Sequence, residues 1–73
     1  MVEEIHVTPA ENGWKVTHGG ALEPLVFFSG ARAENAARRL AEAMAEAGRA
    51  AEIKIILRDG SLAGRFISHP SAD

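Results

Sequence analysis

The 73-residue chain has no cysteine and no tyrosine, and only one tryptophan, three phenylalanines and three prolines. Without cysteine it can form no disulfide and no thiolate metal site. The three histidines, His6, His18 and His69, are scattered without ligand spacing, so no metal and no cofactor is expected. No apolar run approaches the ~20 residues of a membrane span. The acidic start, Met1-Val2-Glu3-Glu4, lacks the basic-then-apolar order of a signal peptide. A cytoplasmic protein without membrane contact is the expectation. A net charge of −2 provides no global pull towards nucleic acid or anionic lipid, although a local basic face stays open.

Large apolar side chains are also scarce. The hydrophobic share is 47%, but fourteen of those residues are alanine, which buries little area, leaving twenty larger ones. A chain this short usually needs a staple: a disulfide, a metal or a partner subunit. Only the partner subunit remains.

Local pattern places the elements. Residues 4–8 alternate polar and apolar, with Ile5 and Val7 on one face, which is the period of a strand. Pro9 should end that strand, and residues 9–13 form a turn cluster. Residues 14–18 alternate again and complete a hairpin, with Trp14 and Val16 facing the core. Residues 25–28, Leu-Val-Phe-Phe, fit a short strand, and Ser29 is a good helix N-cap. Ala31 to Ala47 has near-maximal helix propensity. Ala33, Ala36, Ala37, Leu40, Met44 and Ala47 form its apolar stripe. Glu34 with Arg38, and Arg39 with Glu42, are spaced to pair along the helix. Gly48 suits the C′ position. Residues 52–58 and about 61–67 form a second hairpin around Asp59-Gly60. A two-residue loop there sets Leu57 opposite Leu62, Ile55 opposite Gly64 and Ile53 opposite Phe66 on the core face. The other face then takes Ile56 with Ala63, Lys54 with Arg65 and Glu52 with Ile67.

The predicted fold class is therefore α+β: an antiparallel sheet of four to five strands with one helix packed on one face, in the order β-β-(β)-α-β-β. A single domain should cover residues 1–68, with a frayed tail over 69–73.

Several of these residues together resemble a known family, the small bacterial proteins catalogued as domain of unknown function 2188. They are Ile5-His6-Val7-Thr8-Pro9, then Gly13-Trp14-Lys15-Val16, then Ser29 with Ala31, Ala33, Ala36, Ala37, Arg38, Leu40 and Ala41 in helical spacing, and last Arg58-Asp59-Gly60. The resemblance runs over about residues 4–66. Ser29-Gly30 departs from the threonine and lysine common in the family, and Glu34 stands where an aliphatic residue is common. The resemblance implies the topology. It carries no established activity, so it implies no catalytic residue.

Candidate chemistry is thin. Asp59 lacks a second titratable partner in the sequence and already has a reason to exist in the turn. No nucleophile–base pair is visible, since Ser29 serves as a cap and Ser61 as a turn residue. The glycines form no phosphate loop, because Gly60 and Gly64 lead into a strand. A non-enzymatic protein is expected. Ile56, Ala63, Ile67 and Phe28 fall on the face away from the helix and are the candidate interface of a homodimer, with another protein partner as the variant of that reading. Lys15, Lys54 and Arg65, joined by His6, fall on the same face and are the candidate contacts of the alternative, a nucleic-acid-binding accessory domain. Arg32, Arg38, Arg39 and Arg49 on the helix leave room for an anion contact there.

Overall fold

Apolar residues at every second position build the strands, and the alanine-rich run builds the helix between them. The computed structural model describes residues 2–19 and 23–70. Among these, the elements in chain order are β1 (Val2–Ala10), β2 (Gly13–His18), β3 (Leu25–Phe27), α1 (Gly30–Glu46), β4 (Ala50–Ile56) and β5 (Leu62–Ser68). Residues 71–73 of the expected tail lie outside the described residues.

The five strands form one sheet in the order β3-β2-β1-β4-β5. The α+β class holds, but the sheet is mixed rather than antiparallel. β1 and β4 pair parallel in the middle, with Ile5 opposite Ile53 and Val7 opposite Ile55. The reason is the connection: α1 crosses over one face and returns the chain to run beside β1 in the same direction. Every other pairing is antiparallel.

β1 also runs through Pro9 to Ala10, where the sequence suggested a stop. Pro9 sits opposite Trp14, beyond the last β1–β4 pair at Val7 and Ile55. Its missing N–H therefore leaves no gap in the parallel ladder.

The helix approaches the sheet through small side chains. Ala33, Ala37 and Ala41 are buried at steps of four, joined by Met44 and Ala45. They close over Ile5, Val7, Val16, Ala51 and Ile53. Ala47, expected in this stripe, is instead the exposed C-cap. The helix ends there in a Schellman arrangement. The Arg49 N–H donates to the Met44 carbonyl at 2.8 Å and the Gly48 N–H to that of Ala45 at 3.0 Å, with Gly48 at φ +81°. At the other end the Ser29 hydroxyl accepts from the Arg32 N–H at 3.1 Å. Gly30 has a steric role as well: a Cβ there would lie 3.3 Å from the Trp14 ring. The absent side chain lets the helix start against the one large aromatic of β2.

The last hairpin follows the predicted register from Glu52–Ile67 to Ile55–Gly64 and then departs from it. The turn has three residues, Arg58-Asp59-Gly60, rather than two. The Gly60 N–H donates to the Leu57 carbonyl at 2.9 Å, the Leu57 N–H to the Ser61 carbonyl at 2.9 Å, and Gly60 takes φ +86°. This is the type I turn with a left-handed third residue. The extra residue in the turn is compensated by a bulge, so Ile56 pairs with Leu62 and Ala63 drops out of the ladder. Leu62 consequently joins Ile56 on the face away from the helix, although the two-residue loop had placed it in the core.

Candidate functional site

Among the described residues, no element covers the second face of the sheet. Alternation from the buried positions assigns its side chains: His6 and Thr8 on β1, Lys15 and Thr17 on β2, Glu52, Lys54 and Ile56 on β4, and Leu62, Arg65 and Ile67 on β5.

The centre of this face is an ion network. The parallel β1–β4 pairing puts Glu4 beside Glu52 and His6 beside Lys54. The Lys54 ammonium donates to Glu4 Oε1 at 3.1 Å and lies 3.6 Å from Glu52 Oε1. His6 Nε2 is 3.0 Å from the same Glu4 oxygen, and Arg65 Nε donates to Glu52 Oε2. Glu52 is 8% exposed, because Lys54 and Arg65 close over it. A carboxylate so shielded needs its cations, since an uncompensated buried charge is costly.

Sequence reasoning named Lys54 and Arg65 but missed the two carboxylates that engage them. The Glu4–Glu52 neighbourhood depends on a parallel pairing between strands far apart in sequence, which no local pattern reveals. Glu52 itself carried a signal: it is an acid on the same strand face as Lys54, two residues away. Lys15 is not part of this network. It pairs with Thr8 and Val26, two strands from Lys54. The three residues expected to form a basic patch are thus divided, and two of them are neutralised in place.

The candidate interface residues are also divided. Ile56 and Ile67 both lie on the β4–β5 side of the sheet but at opposite ends of that hairpin, with the Lys54–Arg65 pair between them, and Leu62 takes the place expected for Ala63. Leu62 is 54% exposed and Ile67 53%. Phe28 follows β3 at the opposite edge of the sheet and is 92% exposed, so it belongs to no shared patch with them.

Asp59 is a turn residue. Its carboxylate accepts from the Ser61 N–H at 2.9 Å and the Ser61 hydroxyl at 2.6 Å, and these bonds hold its pKa below the ordinary 3.8. Arg58 reaches across to the Ala10 carbonyl at 3.2 Å and ties the second turn to the end of β1.

A family described as an uncharacterized protein conserved in bacteria, DUF2188, matches residues 5–65. The chain belongs to that family. No curated protein and no solved structure matches it. The match over this DUF2188 domain begins at Ile5, in the middle of β1, and ends at Arg65, the last cation of the network. No helix among the described residues is long and apolar enough to cross a membrane.

The network gives the domain a pH signature. The His6 hydrogen bond, followed by that of Lys54 and its charge, holds the Glu4 carboxylate below its ordinary 4.5. A lowered folded pKa contributes stability that is present above the unfolded value and lost as pH falls through the folded one. The Glu4 hydrogen bond raises Lys54 above 10.5, so its share is present below that value and lost as pH rises through the folded pKa. Glu4 is exposed and Lys54 partly so, so salt should weaken the effect. Glu4→Gln is expected to lower the urea midpoint at pH 7 and to match the parent at about pH 2. A pH-independent difference between the two proteins would show that the ion pair is not its source.

Proposed function

We propose that this DUF2188 domain is a non-enzymatic interaction module that works as a homodimer, closing the β4–β5 end of its open sheet face against a second copy. The observation that carries this reading is the apolar content of an uncovered face: Leu62 beside Ile56 near the turn and Ile67 at the far end of the hairpin, on either side of the Lys54–Arg65 pair, with Leu62 and Ile67 more than half exposed. Apolar groups exposed around a neutralised ion network on an open sheet suit a surface that is covered by a partner. A chain without cysteine, and so without a disulfide, gains stability by mass action when such a face is shared. A standard interface of about 800 Å² per partner would use roughly one-sixth of the 5061 Å² surface.

The face is a better seam than the β5 edge. The Ala63 bulge interrupts that edge, a device that discourages strand-to-strand pairing. The ion network adds direction. Glu4 and Glu52 balance Lys54 and Arg65, so a second copy meets mixed charge rather than a repelling field. The same balance leaves no observation favouring nucleic acid on this face. A cysteine-free chain suits a reducing compartment, and in this reading the module acts in the cytoplasm.

Light scattering after size exclusion should give twice the chain mass of 7.8 kDa. Ile67→Asp should raise the dissociation constant at least about a hundredfold, because it would bury an unpaired charge. Ile67 is half exposed in the single chain, so the variant should keep its fold. A parent mass of one chain at high micromolar concentration would overturn the reading.

A further inference from the structure

At the opposite edge of the sheet, on the helix side, a groove of about 600 Å³ runs between β3 and α1. Its floor is apolar, formed by Leu25, Phe27 and Leu40, and its rim carries Arg32, Asn35 and Arg39. The other helix-region arginines have partners: Arg38 pairs with Glu34 at 4.0 Å and Arg49 with Glu3 at 2.9 Å. Among the described residues, no carboxylate lies within ion-pair distance of Arg32 or Arg39. Glu42, spaced to pair with Arg39, does not reach it. The groove thus joins an apolar floor to two unspent guanidinium groups. It also borders a free strand edge, because β3 is bonded to β2 on one side and to no described strand on the other. Alternate N–H and C=O groups of β3 therefore point outward.

We infer that this groove binds an extended acidic–apolar peptide segment of a partner protein, added as a strand along β3. Apolar side chains of the segment fill the floor between Leu25 and Leu40, and its carboxylates take Arg32 and Arg39. Charge complementarity and the free strand edge select this occupant. An apolar segment would leave two cations desolvated, and a compact anion would leave the strand edge unpaired. Arg32 and Arg39 lie seven residues apart, which is about 10 Å along a helix. An extended chain spans that distance in roughly three residues. The groove and the homodimer face lie at opposite edges and on opposite sides of the sheet, so the two proposals stand or fall separately.

The test is a selection of random dodecapeptides displayed on phage against the full chain, run in parallel against a double variant carrying Arg32→Glu and Arg39→Glu. Both arginines are exposed, and an unchanged amide spectrum would verify that the variant folds. Peptides enriched on the parent should carry two acidic residues two to four positions apart with apolar residues between them. A synthetic copy should shift the amide resonances of Leu25 to Phe27 and of Arg39. It should bind the double variant at least about tenfold more weakly, the loss expected of charge-assisted hydrogen bonds. Lys15→Glu, a charge change on the other face, should leave binding unchanged. N-methylation of alternate peptide amides should also cost at least about tenfold. Enrichment without acidic residues, or equal binding to parent and double variant, would overturn the inference. Full binding by the N-methylated peptide would overturn the strand addition.

Discussion

Gly13→Ala is expected to destabilise the domain by about 3 kcal/mol, the upper end for overpacking in a well-packed site. A Cβ at Gly13 would collide with the backbone carbonyl of Phe27. A side chain in the way could swing aside, but this oxygen belongs to a strand held by the Trp14–Phe27 pairing. Relief requires moving β3 away from β2, which opens one edge of the sheet. A domain of this size has a total stability of about 4–11 kcal/mol, so the change would remove much of it. The single tryptophan, Trp14, adjoins the site and reports the transition by fluorescence in urea. Gly19→Ala is the control, since a Cβ there would meet nothing within 4 Å. A surface change of that kind should stay within about 0.5 kcal/mol. If Gly13→Ala behaved like Gly19→Ala, the close approach of β2 and β3 would be refuted.

Ile5→Ala should cost about 4 kcal/mol and Ile5→Val about 1 kcal/mol. Ile5 is fully buried on the central strand, opposite His18 on one side and Ile53 on the other. The size of the loss depends on how far the surroundings collapse into the space. Here the covering helix presents Ala33, Ala37 and Ala41, whose short side chains cannot swing into a void. The cavity should therefore stay open. Equilibrium urea denaturation of both variants measures the two losses. Equal and small losses would mean that the alanine face relaxes after all.

What could be read from the sequence was whatever local chemistry decides. The helix needed only alanine, a serine cap and a terminal glycine, and its limits agree within one residue. The first hairpin and most of the second followed from alternation. Two kinds of feature escaped. One was turn geometry: Arg58-Asp59-Gly60 could close a two- or a three-residue loop, and the choice moved Leu62 to the opposite face. The other was the pairing of distant strands. Glu4, Glu52 and Lys54 form one cluster only because β1 and β4 are adjacent and parallel. The groove was partly legible, since Arg32 and Arg39 stood out as basic residues on the helix. That no carboxylate among the described residues pairs with them, while Arg38 and Arg49 have partners, required the fold.

The parallel seam between β1 and β4 also has a kinetic meaning. The two hairpins close over turns of a few residues, whereas the first seam pair joins Val2 to Ala50, 48 residues away (50 − 2). Closing a loop of that length costs chain entropy before any contact compensates it. Each hairpin and the helix can form by local search, but the seam cannot. Its formation is the event that turns two ribbons and a helix into one domain, and the rate of folding should be governed there rather than in either turn.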